Sequence, residues 1–199
     1  MNGQRVGHRQ LEVLRAQLSQ RDLDLLEAIG TYRLLRGDQA RRLHFADHAT
    51  TDTAARVARR VLRRLNGLGL VARLHRRVGG VRAGSAGHIY TLTPLAHRLL
   101  GSPKRRRTNE PSYAFVHHTL AMAELATRLI EAERGNRFEV LQLQPEPDAW
   151  RHYMSDLVAS TLKPDLFIRP ADDDFELSWF SEIDCGTDSA PTIQRKCLA

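Results

Sequence analysis

The sequence predicts an α+β chain in two parts, a helix-led basic half followed by a strand-rich acidic half. Three observations carry that expectation. Residues 1–111 hold 22 Lys+Arg against 8 Asp+Glu and residues 112–199 hold 8 against 15, so an overall net charge of +7 conceals halves of +14 and −7. Apolar residues recur at helical spacing through most of the first half and at strand spacing in three runs of the second. Between the halves, GSPKRRRTNEPS joins Gly, Pro and four consecutive cations, the composition of an exposed linker.

The bulk properties narrow the class. An apolar content of 42% in 199 residues supports ordinary globular cores. No run approaches the roughly 18 to 20 apolar residues that a membrane span needs. MNGQRVGHRQ has no apolar stretch behind its basic residues, so no secretory signal is read there and a cytoplasmic protein is expected. Cys185 and Cys197 lie twelve positions apart without a CxxC pattern and read as reduced thiols.

After an N-terminal arm (1–18), RDLDLLEAIG reads as a short helix with Leu23, Leu26 and Ile29 inward and Gly30 as its stop. RGDQARRLHF gives a second helix with Asp38 as N-cap and Ala40, Leu43 and Phe45 inward. The third, TTDTAARVARRVLRRLNG, is the most informative. At 100° per residue Ala54, Val57, Ala58, Val61, Leu62 and Leu65 share one arc, and Arg56, Arg59, Arg60, Arg63 and Arg64 share the other. Asn66-Gly67 is read as the stop.

A solvated helix face normally mixes signs to form i,i+4 pairs. Here no acidic residue lies between Thr53 and Val81, so the stripe repels itself and calls for an anionic partner. Its width suits the DNA major groove, with Thr50, Thr51, Thr53 and Arg56 at the leading end.

LVARLHRR then alternates as a strand, VGGVRAGSAG forms a hairpin tip, and HIYTL returns. Thr93-Pro94 opens a helix with Thr as N-cap and Pro at N1. Three helices, a two-stranded wing and a further helix make a winged helix-turn-helix over 19–101. The run RVLRRLNGLGLVARLH…GHIYTLTPLAHRLLG resembles winged-helix regulators of the MarR and PadR type, with Ala96-His97 replacing the usual small-Gly pair. That resemblance implies binding to double-stranded DNA, with the helix from Thr53 in the groove and Arg76, Arg77 and Arg82 in or near the wing. In the basic linker (102–112), Lys104, Arg105 and Arg106 are placed to neutralise phosphates beside the groove, or simply to keep a hinge solvated.

In the acidic half, YAFVHHTLAMAELATRLIEAER predicts a helix of about twenty residues ending at Gly135, with Phe115, Leu120 or Thr119, Met122, Ala126, Leu129 and Ile130 in its stripe. Adjacent His117 and His118 point about 100° apart and cannot chelate one metal together, so they read as structural; His44 and His48 read the same way. RFEVLQLQ, PDLFIRP and FELSWFSEID read as strands, PEPDAWRHYMSDLVASTLK as loop or partial helix, and PTIQRKCLA as the start of a helix. Asp165 then opens the second strand, while Glu182 and Asp184 end the third on one face.

This order resembles the PD-(D/E)xK nuclease-like core, with Pro164-Asp165 as its PD and Glu182-Ile183-Asp184 at the D/E-x-K segment. Such a core gathers carboxylates around a divalent metal that activates water, while a lysine stabilises charge on the phosphate. The resemblance therefore implies Asp165, Glu182, Asp184 and Lys196 as catalytic candidates, with Asp165 and Glu182 holding Mg²⁺ or Mn²⁺. Asp184 stands where the lysine belongs, and Lys196 is a substitute from the following helix. Taken whole, the winged helix, the linker and KPDLFIRP…SEIDCGTDSAPTIQRK resemble the replication-relaxation family, which is linked to plasmids and other mobile elements. In the fuller family pattern a further strand and helix follow, so the nuclease-like domain (113–199) is expected to be incomplete at its C-terminus.

Two functions follow as expectations. The first is a homodimeric, sequence-specific DNA-binding regulator of transcription or replication, needing no cofactor, with the helix from Tyr113 either the candidate dimer surface or equally buried in its own core. The alternative is a metal-dependent nickase or nuclease targeted by the winged helix.

Overall fold

A computed structural model describes residues 7–77, 87–102, 111–155, 158–186 and 194. The chain divides into two compact units, Met1–Pro111 and Ser112–Ala199. Among the described residues the architecture is mixed α+β, and no helix is long and apolar enough to cross a membrane.

The first unit contains α1 (His8–Ala16), α2 (Gln20–Tyr32), β1 (Leu35–Arg36), α3 (Gly37–His44), α4 (Thr51–Gly67), β2 (Val71–Arg77), β3 (His88–Leu92) and α5 (Pro94–Leu99). Its strands form one antiparallel sheet in the order β1-β3-β2. Leu25, Leu26 and Ile29 of α2, Leu62 and Leu65 of α4, and Ile89 of β3 are fully buried and supply the core.

Local chemistry sets the boundaries. Ser19 caps α2: its Oγ accepts from the Asp22 N–H at 3.2 Å, and the Asp22 carboxylate accepts from the Ser19 N–H at 2.8 Å, a reciprocal capping box. Thr50 Oγ1 accepts from the Thr53 N–H to start α4, and Thr93 caps α5 ahead of Pro94.

Several expected details differ. The arm folds as α1. Gly30 does not stop α2, which runs two residues further. A Cβ there would lie 3.0 Å from Leu92 Cδ1, so glycine serves close packing against β3. Asp38 lies inside α3 and pairs with Arg36, the residue at the N-cap position. Gly67 is still helical. The turn that ends α4 centres on Gly69 at φ +72°, with the Leu70 N–H donating to the Leu65 carbonyl at 3.0 Å.

The second unit contains α6 (Tyr113–Arg134), β4 (Glu139–Pro145), β5 (Arg151–Ser155), β6 (Val158–Leu162), β7 (Leu166–Ala171) and β8 (Trp179–Ser181). An antiparallel sheet runs β4-β7-β8, and β5 and β6 form a separate hairpin. One face of α6 covers the sheet: Met122 packs with Leu166 and Ile168, flanked by Leu125, Leu129, Leu143 and Ile183. Much of the stripe read as a dimer surface is therefore used in the unit's own core. Val116 is buried and Phe115 is exposed, the reverse of the expected stripe at that turn.

The segment expected as loop or partial helix is the β5–β6 hairpin, in which Tyr153 pairs with Ser160 and Met154 with Ala159. The expected third strand shrinks to Trp179–Ser181, preceded by a single bridge from Glu176 to Ala171. Glu182 and Asp184 thus follow the strand instead of ending it. Ile183, past the strand's end, packs against the cluster of Met122, Leu166 and Ile168. Of the expected final helix only Gln194 is described, and it is helical.

Candidate functional site

The helix α4 is built around two opposed faces. Ala54, Ala58, Leu62 and Leu65 are buried. Arg56, Arg59, Arg60 and Arg63 are exposed and lie within an arc of about 100°. Thr51 is exposed at the first turn, and Thr53 is half-buried beside it. Arg56 donates to Thr53 Oγ1 at 3.4 Å and Arg59 to the Ala55 carbonyl at 3.0 Å. Among the described residues no carboxylate pairs with Arg56, Arg59, Arg60 or Arg63. Four charges of one sign are thus held together on a rigid rod, a surface that favours an anion.

The fifth arginine is used differently. Arg64 forms an ion pair with Asp22, which is buried in α2, and donates to the Gln17 carbonyl at 3.4 Å. Burial pushes the Asp22 carboxyl up, but hydrogen bonds from Arg64 and Ser19 outweigh it and hold the group below its ordinary value of 3.8. This pair fixes the C-terminal end of α4 against α2.

The cationic face continues onto the sheet. Tyr90 in β3 has its hydroxyl pKa raised by burial, opposed by the charges of Arg73 and Arg63. Both guanidiniums therefore act on one phenol, linking α4 to β2. Arg73 lies 3.5 Å from His88 Nε2. Sequence reasoning missed Arg73; the signal was the alternation in VARLHRR, which sets it opposite Tyr90 in the β2–β3 register. Arg76 and Arg77 belong to β2 with side chains outside the described residues, where Arg82, Lys104, Arg105, Arg106 and Lys196 also fall.

The acidic candidates lie in the second unit. Asp165 is buried just before β7. Its Oδ1 lies 3.0 Å from His118 Nε2 on α6, and its Oδ2 accepts from the Ile183 N–H at 2.7 Å. Glu182 and Asp184 are exposed, and Asp184 Oδ1 accepts from the Gly186 N–H at 2.8 Å. Burial, then the charges of Asp184 and Asp165, push the Cys185 thiol pKa up, so these three groups share a neighbourhood. Both Asp165 oxygens already have protein partners. Among the described residues no group of three or more His, Cys, Asp or Glu is placed to hold a metal ion. His118 was missed as a partner of Asp165, 47 positions away; only its place beside inward Thr119 and Leu120 hinted at it.

No curated protein and no solved structure matches the chain. One family model does, and it spans residues 26–199, covering the arginine face of α4 as well as Asp165 and the segment after β8. The chain belongs to the replication-relaxation family.

Proposed function

We propose that this protein is a sequence-specific double-stranded DNA-binding protein that regulates replication or transcription of a plasmid or other mobile element. The family to which it belongs supports the replication theme. The observation that carries the DNA reading is the one-signed face of α4, with four arginines unpaired by any described carboxylate. On this reading the first unit is a winged helix-turn-helix. Helices α2, α3 and α4 form its helical part, β2 and β3 form its wing, and α4 enters the major groove by its N-terminal end.

One such module makes a small interface, so two copies on paired half-sites are proposed. Selection of bound duplexes from a random pool should return an inverted repeat; smeared selection would overturn the reading. Arg56→Ala should relax preference at one or two adjacent positions, costing about 1–3 kcal/mol per lost base contact while leaving other positions unchanged.

The second unit, on our reading, is a nuclease-like scaffold that serves assembly. Its support is the commitment of Asp165 to His118 and the Ile183 N–H, together with Asp184 at the lysine position of the motif. Supercoiled plasmid incubated with the protein and Mn²⁺ should stay intact. Nicking that both Asp165→Ala and Glu182→Ala abolish would instead establish the nuclease.

A further inference from the structure

The loop that leads into α4 is held from outside its own two helices. Residues 45–50 join α3 to α4, and one side chain of α2 meets three of them. Arg21 Nη2 donates to Asp47 Oδ2 at 2.6 Å, and Arg21 Nη1 lies 3.4 Å from His48 Nε2. The guanidinium carbon sits over the Phe45 ring, 5.5 Å from its centroid. Phe45 is fully buried, and the His48 ring stacks on it with 6.2 Å between centroids and 14° between planes. One guanidinium thus joins a buried ring, an imidazole and a carboxylate along a single loop. Its hydrogen bond holds the Asp47 carboxyl below the ordinary value of 3.8.

An exposed Arg–Asp pair by itself contributes little to stability. This one adds a planar fork of donors laid on an aromatic face, which narrows the ways the loop can move. The loop ends in Thr50, which caps α4, and runs directly into Thr51, Thr53 and Arg56. The next residue of α2, Asp22, holds Arg64 in the last turn of the same helix. Consecutive residues of α2 therefore secure α4 at its entry and near its exit.

The two kinds of DNA contact differ in how much misplacement they tolerate. Hydrogen bonds to base edges weaken steeply with angle, whereas attraction to the phosphates is long in range and indifferent to sequence. We propose that Arg21, acting through Asp47 and the Phe45–His48 stack, is a positioning residue for sequence preference. It sets where the leading end of α4 meets base edges and contacts no base itself. The inference rests on the DNA reading of the first unit, but it concerns preference among duplexes and not binding as such.

The test measures the affinity of the full chain for two duplexes, one selected from a random pool and one with the same bases scrambled. Their ratio should fall about fivefold in Arg21→Ala and about fivefold in Asp47→Ala, the upper range for such a pair. Affinity for the scrambled duplex should change by less than about twofold in each. The double variant should lose about fivefold again, not the roughly twenty-fivefold of independent sites. Arg21→Ala lowers the net charge and Asp47→Ala raises it, so a plain charge effect would move the two variants in opposite directions. Melting midpoints should shift by less than about 4 °C, because Arg21 is half-buried and Asp47 exposed. An unchanged ratio in either single variant, opposite movements, or losses that multiply in the double variant would overturn the inference and leave the DNA reading standing. A fallen ratio with a larger drop in midpoint would make the contact one of folding and overturn it equally. A selection that returns no preferred duplex would overturn both.

Discussion

Replacing Arg60 and Arg63 together by Ala is expected to weaken binding to double-stranded DNA about fiftyfold at 0.1 M salt. Each phosphate contact releases counterions, contributing about 0.9 to the slope of log affinity against log salt. Two lost contacts therefore flatten the slope by about 2 and remove roughly 1.8 decades of affinity at that concentration. For the unaltered protein, about six contacts per copy predict a slope near −5. Both side chains are exposed, so thermal stability should change by less than about 0.5 kcal/mol and the loss is not one of folding. A salt titration of both proteins decides the matter: an unchanged slope would place the DNA elsewhere.

Asp22→Ala should have the largest effect on stability in the first unit. The carboxylate is 2% exposed, it closes the capping box of α2, and it holds Arg64 at the end of α4. Breaking a fully buried ion pair costs about 3–5 kcal/mol, but Arg64 is 43% exposed and is rehydrated when released. The lost cap and charged hydrogen bonds then leave about 2–3 kcal/mol, a fall of about 10 °C or more in the melting midpoint of a unit this size. The pH dependence has a definite sign. Because the folded carboxyl titrates below its ordinary 3.8, its stabilisation is full above the unfolded value and is lost as pH falls through the lower folded one. Asp22→Asn should remove that part of the acid limb. Acid melts of both proteins that ran parallel below pH 4 would show that the pair does not contribute.

The contrast between Arg60 and Arg64 marks what could be read in the sequence. The two-faced helix was legible because its period lies within seventeen consecutive residues, and Thr93-Pro94 was legible because a cap is a local device. That Arg64 is anchored while Arg60 is not depends on Asp22, 42 positions away. Gly30 was misread for the same reason, since the close approach comes from Leu92 on another element. The β5–β6 hairpin escaped because His152, Ser155, Ser160 and Thr161 dilute its alternation and no Gly marks its turn. In the acidic unit a spacing of two between Glu182 and Asp184 promised a shared face. The strand ends at Ser181, before either carboxylate, and Ile183 between them packs against the Met122 cluster.

The spacing of the α4 arginines also bears on how much of a genome one copy of the protein could distinguish. Arg56 and Arg63 are seven residues apart, about 10 Å along the helix axis, which spans roughly three base pairs of rise. A site of that length recurs by chance about once in 64 positions, so a lone helix could carry at most some six bits of address, and fewer where its arginines hold phosphates. Picking out one locus on a plasmid of several thousand base pairs takes about twice that. On the proposed DNA reading the shortfall equals the information in a second half-site, which a second copy of this helix would supply.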